Sequence, residues 1–452
     1  MRQSASVTIS PILVAGLGKT GHSIARYLSR NQMPFVVFDT REAVEDLEVF
    51  QTEFPDVDVF LGVFPDELYA KLQSIITSPG VSLDEPFLQK AHAMHIPIYG
   101  DIECFAREVK VPVIAITGTN GKSTVTTLVG EMAKQAGFQV AVAGNIGDPV
   151  LDRLADPMDY DLWVLELSSF QLDLTDSLAP AAATILNITP DHLDRHHSME
   201  AYIQAKQRVY SQAQTMIYNR QDIQTYPQNT SIGAAQISFG LDIPEGQNWG
   251  IIEKEGVKYL AHDRQTLMPV DAIRIKGKHN WENALAACAL ADSVGITDAV
   301  KVTVLQTFSG LPHRCQWVRT LDGVEWINDS KGTNVGATLS AIDGVGDTLV
   351  GKIVLIAGGL GKDADFSLLR NVVSRYVRTI ILIGKDAQRI ATDLAGTVPM
   401  QHADSFEAAI QQARLAAEPQ DVVLLSPACA SLDMFRDFNH RGERFAELVA
   451  EL

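Results

Sequence analysis

In the run Gly118-Thr119-Asn120-Gly121-Lys122-Ser123-Thr124, two glycines precede a lysine and two hydroxyl residues, a spacing suited to holding phosphate groups. Glycines let backbone N–H groups converge on anionic oxygens, and a helix start adds partial positive charge. Lys122 would reach the outer phosphates of a nucleotide, and the Ser123 hydroxyl would ligate Mg²⁺. The plain alternative is a glycine turn with a chance Lys-Ser pair, and the flanks argue against it. Val111–Ile116 reads as a buried parallel strand, and Val125–Met132 as a helix. The common phosphate loop has four residues between its glycines, whereas Ile116 stands where the first glycine would be. The shorter loop speaks against an ordinary GTPase or motor.

A second need of such a site is an acid at a strand end, to share a metal ion with Ser123. Glu166, closing the predicted strand Tyr160–Leu165, fits that place, although a polar residue at a strand end is also ordinary. The run Ala181–Ile188 reads as another strand leading to Asp191-His192-Leu193-Asp194-Arg195-His196. His192 could be a second metal ligand or a substrate contact, and a lone histidine is more often structural. The following helix carries Tyr202, Lys206 and Arg208, where Lys206 reads first as a solvated surface lysine. Farther on, Arg314, Lys331 and Lys362 supply the local positive charge that a nucleotide and a carboxylate substrate require. Gly358-Gly359-Leu360-Gly361-Lys362 lacks a following Ser or Thr, so Lys362 is better read as a carboxylate binder than as part of a second phosphate loop.

The elements that must position these residues fall into three blocks. The first opens with strand Pro11–Ala15, the turn Gly16-Leu17-Gly18-Lys19-Thr20-Gly21, a helix through Leu28 and a strand ending at Asp39. Glycines followed about twenty positions later by an acid are the pattern of a dinucleotide-type unit. Alone the pattern is weak evidence for NAD, and no later region offers a hydride site. Thr77-Ser78-Pro79-Gly80 follows another strand, Ser74–Ile76. The second block runs from Gly100-Asp101-Ile102-Glu103 to about residue 310; its residues 215–275 read as short strands and turns, an antiparallel patch beside the main sheet. The third begins near Leu311-Pro312-His313-Arg314 and alternates helices with strands at 353–357, 379–383 and 421–425. Three α/β domains in series follow, at 1–101, 102–310 and 311–452.

The chain has 452 residues, 46% hydrophobic and 20% charged, which is a globular composition too long for one core. Its net charge of −18 gives no support to a nucleic-acid or membrane-surface role. Cys104, Cys288, Cys315 and Cys429 lack metal-ligand spacing and read as reduced thiols. With no long apolar run and no signal-like start at Met1–Ser10, a cytoplasmic protein is expected, as a monomer without nucleic-acid or membrane partners.

The phosphate loop resembles that of the Mur ligases, the ATP-dependent amino-acid-adding enzymes of peptidoglycan precursor synthesis. Glu166–Leu172, Asp191–His196, Gly277-Lys278-His279-Asn280-Trp281-Glu282-Asn283 and Leu311–Arg314 fall in that family's order, so the resemblance covers nearly the whole chain. Asp39-Thr40-Arg41, Asn328–Asn334 and Leu425–Asp433 most resemble the branch that adds D-glutamate to UDP-N-acetylmuramoyl-L-alanine. The Asp-Asn-Pro-Arg-like signature of the diaminopimelate- or lysine-adding branch is absent. Other readings are an L-alanine-adding or folate-polyglutamylating relative and, in another class, a nucleotide-binding regulator or dehydrogenase. The folate enzymes should lack the first block.

The resemblance implies a Rossmann-like first domain, a central phosphate-loop domain with a mainly parallel sheet, and a Rossmann-like third domain. It implies ATP and two Mg²⁺ ions, one on Ser123 and Glu166, the other on His192 and a carbamylated Lys206. Gly118 to Thr124, Asn280, Asn283, Arg314 and Asp329 would hold ATP, with Lys122, His192 and Lys206 catalytic. Leu17, Gly18, Asp39, Thr40 and Arg41 would take the uridine end and Asn145 the muramoyl part; Thr333, Lys362, Ser431 and Phe438 would take D-glutamate. Gly332 stands where some members have Ala, and Asp363 where others have Gly. Catalysis is expected to need the third domain to swing onto the second near Ser309-Gly310-Leu311.

Overall fold

Ile12–Ala15 is a short apolar run buried along its whole length, as expected of a strand covered on both faces. In the computed structural model, which describes residues 10–228, 233–275, 277–347, 349–361 and 364–452, this strand is the middle of a five-stranded parallel sheet. The order is Val59–Leu61, Phe35–Asp39, Ile12–Ala15, Ser74–Thr77, Ile98–Tyr99. Sequential strands run outward on one side of Ile12–Ala15 and resume on the other, so the turns after Ala15 and Thr77 face each other across a switch point, where such sheets bind ligands. A Cβ on Gly21 would lie 1.9 Å from the Gly16 carbonyl oxygen, so only glycine lets helix Lys19–Arg30 start this close to the strand.

The chain divides into two compact units, one running to Gly250 and including Leu285–Lys301, the other comprising Ile251–Ala284 and Val302–Leu452. The first unit contains this sheet and a second parallel one in the order Ala235–Phe239, Thr215–Asn219, Ala182–Ile185, Val113–Thr117, Leu162–Glu166, Val140–Gly144. Val113–Thr117 and Leu162–Glu166 are buried throughout and adjacent, with Ile116 opposite Glu166.

Two sequence expectations hold only in part. Strands Thr215–Asn219 and Ala235–Phe239 are not an antiparallel patch; they extend the parallel sheet outward. Phe239 pairs in parallel with Trp249, so neither strand is at the sheet's edge, although Ala235 and Gln236 are exposed. Antiparallel pairing occurs later, between Val257–His262 and Gln265–Pro269 in the second unit. The strand expected over 181–188 is Ala182–Ile185, and Leu186–Ile188 form a buried loop instead. Their polar backbone serves the phosphate loop: Leu186 N–H donates to Thr117 and Thr119 N–H to Asn187.

The second unit has a six-stranded sheet, Gln316–Leu321, Val324–Asn328, Val422–Leu425, Ile353–Gly358, Val377–Ile383, Met400–His402. Only the first pair is antiparallel. The loops after Asn328 and Leu425 leave neighbouring strands at the same edge, since those residues pair in register.

Candidate active site

Gly118 leaves its strand with φ +147°, and a Cβ there would stand 3.1 Å from Leu186 Cβ, so the turn and its packing both call for glycine. The loop is braced from outside. Asn187 accepts from Asn120 N–H through Oδ1 (2.8 Å) and donates through Nδ2 to the Asn120 carbonyl (3.1 Å). The Thr119 hydroxyl donates to the Thr189 carbonyl (3.1 Å) and accepts from Thr189 N–H (3.0 Å). Helix Lys122–Gln135 then begins directly after Gly121, aiming its first-turn N–H groups at the loop's mouth. Lys122 Nζ bends over the loop, 2.9 Å from the carbonyls of Gly118 and Thr119. Ser123 and Thr124 are half-buried in the first turn.

Glu166 is 2% exposed at its strand end. Oε1 accepts from Asn145 Nδ2 at 2.8 Å, while Oε2 is buried without a hydrogen-bond partner. A buried carboxylate oxygen left unpaired is costly, and a hard cation shared with the Ser123 hydroxyl would repay it. The donor set therefore fits Mg²⁺. Asn145 backbone N–H also donates to the Glu166 carbonyl, which ties the two residues together.

Lys206 is not a solvated surface lysine. Helix Met199–Gln207 buries it to 2% exposure, with Nζ 2.9 Å from the Gly118 carbonyl, 3.4 Å from Thr117 Oγ1 and 4.7 Å from the Tyr202 ring centre. Burial, then the Lys122 ammonium, lowers its pKa to about 7, against the opposing pull of Asp191 and Glu166. A large neutral fraction near pH 7 makes the amine nucleophilic.

His192 differs from expectation. It does not end a strand but sits seven residues past Ile185, in left-handed backbone (φ 52°), capping the short helix Leu193–His196. Its ring is half exposed, 3.5 Å from Asp191 Oδ2 and edge-on to Phe170 at 5.0 Å. Among the described residues no three His, Cys, Asp or Glu side chains are grouped to hold a metal ion. The structure thus brings Lys206 onto the phosphate loop, with Glu166 opposite Ile116 of the strand that leads into it, while His192 contacts Asp191 and Phe170.

The switch point of the first sheet holds a cavity of about 550 Å³ lined by Leu17, Gly18, Asp39, Thr40 and Arg41, all five of the expected uridine contacts, with Ser78 and Arg195. Asp39 accepts from Leu17 N–H (2.7 Å), Arg41 N–H (3.0 Å) and the Arg41 guanidinium (2.7 and 2.8 Å). The Arg41 hydrogen bonds, outweighing burial, hold its pKa down at about 2.

In the second unit, Asp329 is buried beneath the loop after Asn328. It accepts from Ser426 Oγ at 2.7 Å and Cys315 N–H at 3.1 Å, and burial raises its pKa to about 6. Thr333 lies half-buried on this loop, and Ala428 N–H donates to the Gly332 carbonyl, fastening it to the loop that ends in buried Ser431. Phe438 starts helix Phe438–Glu451, and its carbonyl accepts from Ser330 Oγ (2.8 Å). Asn280 and Asn283 are both buried on helix Lys278–Asp292, with Asn283 Nδ2 donating to Asn280 Oδ1 at 3.0 Å. Arg314 is exposed. Lys362 and Asp363 lie outside the described residues.

Sequence reasoning missed Asn187 and Arg441. Arg441, 1% exposed, donates to Ser330 Oγ and to the carbonyls of Ser330 and Cys429, holding both loops. An arginine on an amphipathic C-terminal helix gives no sequence signal of this.

Three family descriptions tile the chain: "Mur ligase MurD-like, N-terminal domain" on residues 10–100, "Mur ligase middle domain" on 116–291 and "Mur ligase, glutamate ligase domain" on 313–429. The chain belongs to the Mur ligase family, with that family's three-domain α/β fold, and is an ATP-dependent, amide-bond-forming ligase. It is 63% identical to UDP-N-acetylmuramoylalanine–D-glutamate ligase of Legionella pneumophila (strain Paris), over 97% of this chain and 99% of the relative. A protein of the same name from Pseudomonas aeruginosa is 48% identical over 97% and 98%. In fold it is similar to the solved UDP-N-acetylmuramate-alanine ligase from Thermotoga maritima, at 17% identity and a TM-score of 0.56 over 98% of this chain and 99% of that one.

Proposed function

We infer that this ligase joins D-glutamate to the L-alanine carboxylate of UDP-N-acetylmuramoyl-L-alanine at the expense of ATP. The observation that carries this reading is the 63% identity, over 97% of the chain, to a relative named for that reaction. The alanine carboxylate attacks the γ-phosphorus, the bond to the ADP oxygen breaks, and an acyl phosphate forms. The D-glutamate nitrogen then adds to the carbonyl carbon, loses a proton, and the tetrahedral intermediate expels phosphate.

The chain's residues suit these steps. Lys122, leaving its two loop carbonyls, would offset charge between two approaching anions, and the helix N–H groups would hold the phosphates. Ser123 and Glu166 would hold Mg²⁺, which supplies charge neutralisation at the phosphates when bound. The neutral Lys206 amine would add CO₂ and release a proton, placing a carboxylate beside Lys122. We assign a second ion to that carbamate and His192. Asn280, Asn283, Arg314 and Asp329 would serve ATP, Asn145 the muramoyl part, the Asp39–Arg41 cavity the uridine end, and Thr333, Lys362, Ser431 and Phe438 the D-glutamate. Domains at 1–101, 102–310 and 311–452 would carry the uridine end, the phosphate loop with Asn145, and the D-glutamate residues respectively, with Arg314 and Asp329 of the third reaching ATP. The reading includes a monomeric cytoplasmic enzyme; no described helix is long and apolar enough to cross a membrane.

The test is phosphate release from ATP with UDP-N-acetylmuramoyl-L-alanine, comparing D-glutamate with L-glutamate, L-alanine and L-lysine. Release that requires D-glutamate, with a product of matching mass, supports the assignment. Release with L-alanine and UDP-N-acetylmuramate instead would keep the family and sink the substrate.

A further inference from the structure

One arginine that the mechanism above does not use joins the two sheets of the first unit. Arg195 comes from the His192 segment, yet its guanidinium reaches the loop after strand Ser74–Thr77. Nη1 donates to the Gly80 carbonyl at 3.2 Å, and Nη2 to those of Val81 (3.2 Å) and Pro79 (3.5 Å). Gly80 and Val81 are a wall of the 550 Å³ cavity, which Arg195 itself borders. The guanidinium carbon also stands over Phe170, 4.5 Å from the ring centre. Phe170 meets His192 edge-on at 5.0 Å and stacks on His196 at 5.2 Å, and His196 Nε2 is 2.9 Å from Ser169 Oγ. A second strut runs alongside, His197 Nε2 to Asp84 Oδ2 at 2.9 Å.

A guanidinium fork can serve three carbonyls of one loop while standing over an aromatic ring; a lysine lacks the fork. We propose that Arg195 is a positioning residue: it fastens one wall of the substrate cleft to Phe170, and through that ring to His192, so that a filled cleft sets the His192 segment for phosphoryl transfer. The inference rests on the functional reading above. It makes the grip on the uridine end and the alignment of the reacting end one mechanical unit, spending remote binding energy at the reacting centre.

The experiment compares wild type, R195A and R195K by steady-state phosphate release. R195A is expected to raise KM for UDP-N-acetylmuramoyl-L-alanine and lower kcat, each about 10-fold or more, the scale on which small misplacements act. KM for ATP should stay within about 2-fold and the melting temperature should hold. R195K should behave like R195A, because charge alone does not replace the fork. Full rescue by R195K, unchanged kinetics in R195A, or a rise of every KM together with a lower melting temperature would each overturn the proposal. If the wild type releases no phosphate with any substrate pair, the functional reading falls separately. Arg195 is then judged by hydrogen exchange with UDP as the probe. Slower amide exchange at 192–197 on adding UDP, seen in wild type and lost in R195A, supports the coupling; the same response in both proteins rejects it.

Discussion

Two carboxylates at strand ends of the same unit are treated in opposite ways. Asp39 receives four hydrogen bonds, two from backbone and two from Arg41, and is held ionised. Glu166 is as deeply buried, yet one of its oxygens has no partner, and the lysine nearby has lost most of its preference for a charge. The difference is between a binding surface finished in advance and a reaction centre left electrostatically incomplete. A finished site gives stability and shape; an incomplete one keeps its interactions for ligands and the transition state.

That contrast is broken most sharply at Lys206. Lys206→Gln is expected to lower turnover about 1,000-fold while leaving the melting temperature unchanged or higher, because a depressed amine is a strained group. Bicarbonate-depleted wild type should lose activity and regain it on adding bicarbonate, while the variant should not respond; a variant of wild-type activity would sink the carbamate reading. Glu166→Gln is expected to cost about 100-fold in turnover and to raise the Mg²⁺ concentration needed. It should also stabilise the ligand-free protein by about 1 kcal/mol, as the carboxylate oxygen buried without a hydrogen-bond partner is replaced. Urea unfolding checks this, and a lower midpoint would refute it.

Asp39→Asn should do the reverse: a loss of about 1–2 kcal/mol of stability at pH 7, discounted for the half-exposed Arg41, and a raised KM for the UDP substrate. The folded pKa of Asp39 lies below its unfolded value, so its contribution is complete above about pH 4 and is lost as pH falls toward 2. The stability gap between wild type and variant should therefore close over that window. The smallest effect is expected at Asp101, fully buried with Oδ1 unpartnered and its pKa pushed up by burial to about 6. Here the folded state holds the proton longer, so ionisation costs stability as pH rises from about 4 to 6. Asp101→Asn should be neutral at pH 4 and stabilising by about 1 kcal/mol at pH 8; equal effects at both pH values would rule that out.

What could be read from sequence was what is written contiguously. The phosphate loop, Asp39 and Glu166 each follow an apolar strand directly, so period and turn chemistry place them. Lys206 and Arg441 gave no such signal, because their burial depends on what packs over their helices. His192 was misplaced for a related reason: Leu186 and Ile188 are as apolar as strand residues, but past Leu186 the backbone turns to Thr119 of the phosphate loop and to Asp222. The strands at 215–239 were misread because exposed residues such as Gln236 gave no sign that both strands pair in parallel within the main sheet.

The Asn187 side chain, which both donates to and accepts from Asn120, casts the phosphate loop before any nucleotide arrives. Ordering a free chain costs about 1–2 kcal/mol per residue, so a loop already set spares nucleotide binding that entropy. ATP capture should then be a single fast step without a conformational lag, and any slow phase in the cycle should belong to the substrates that follow.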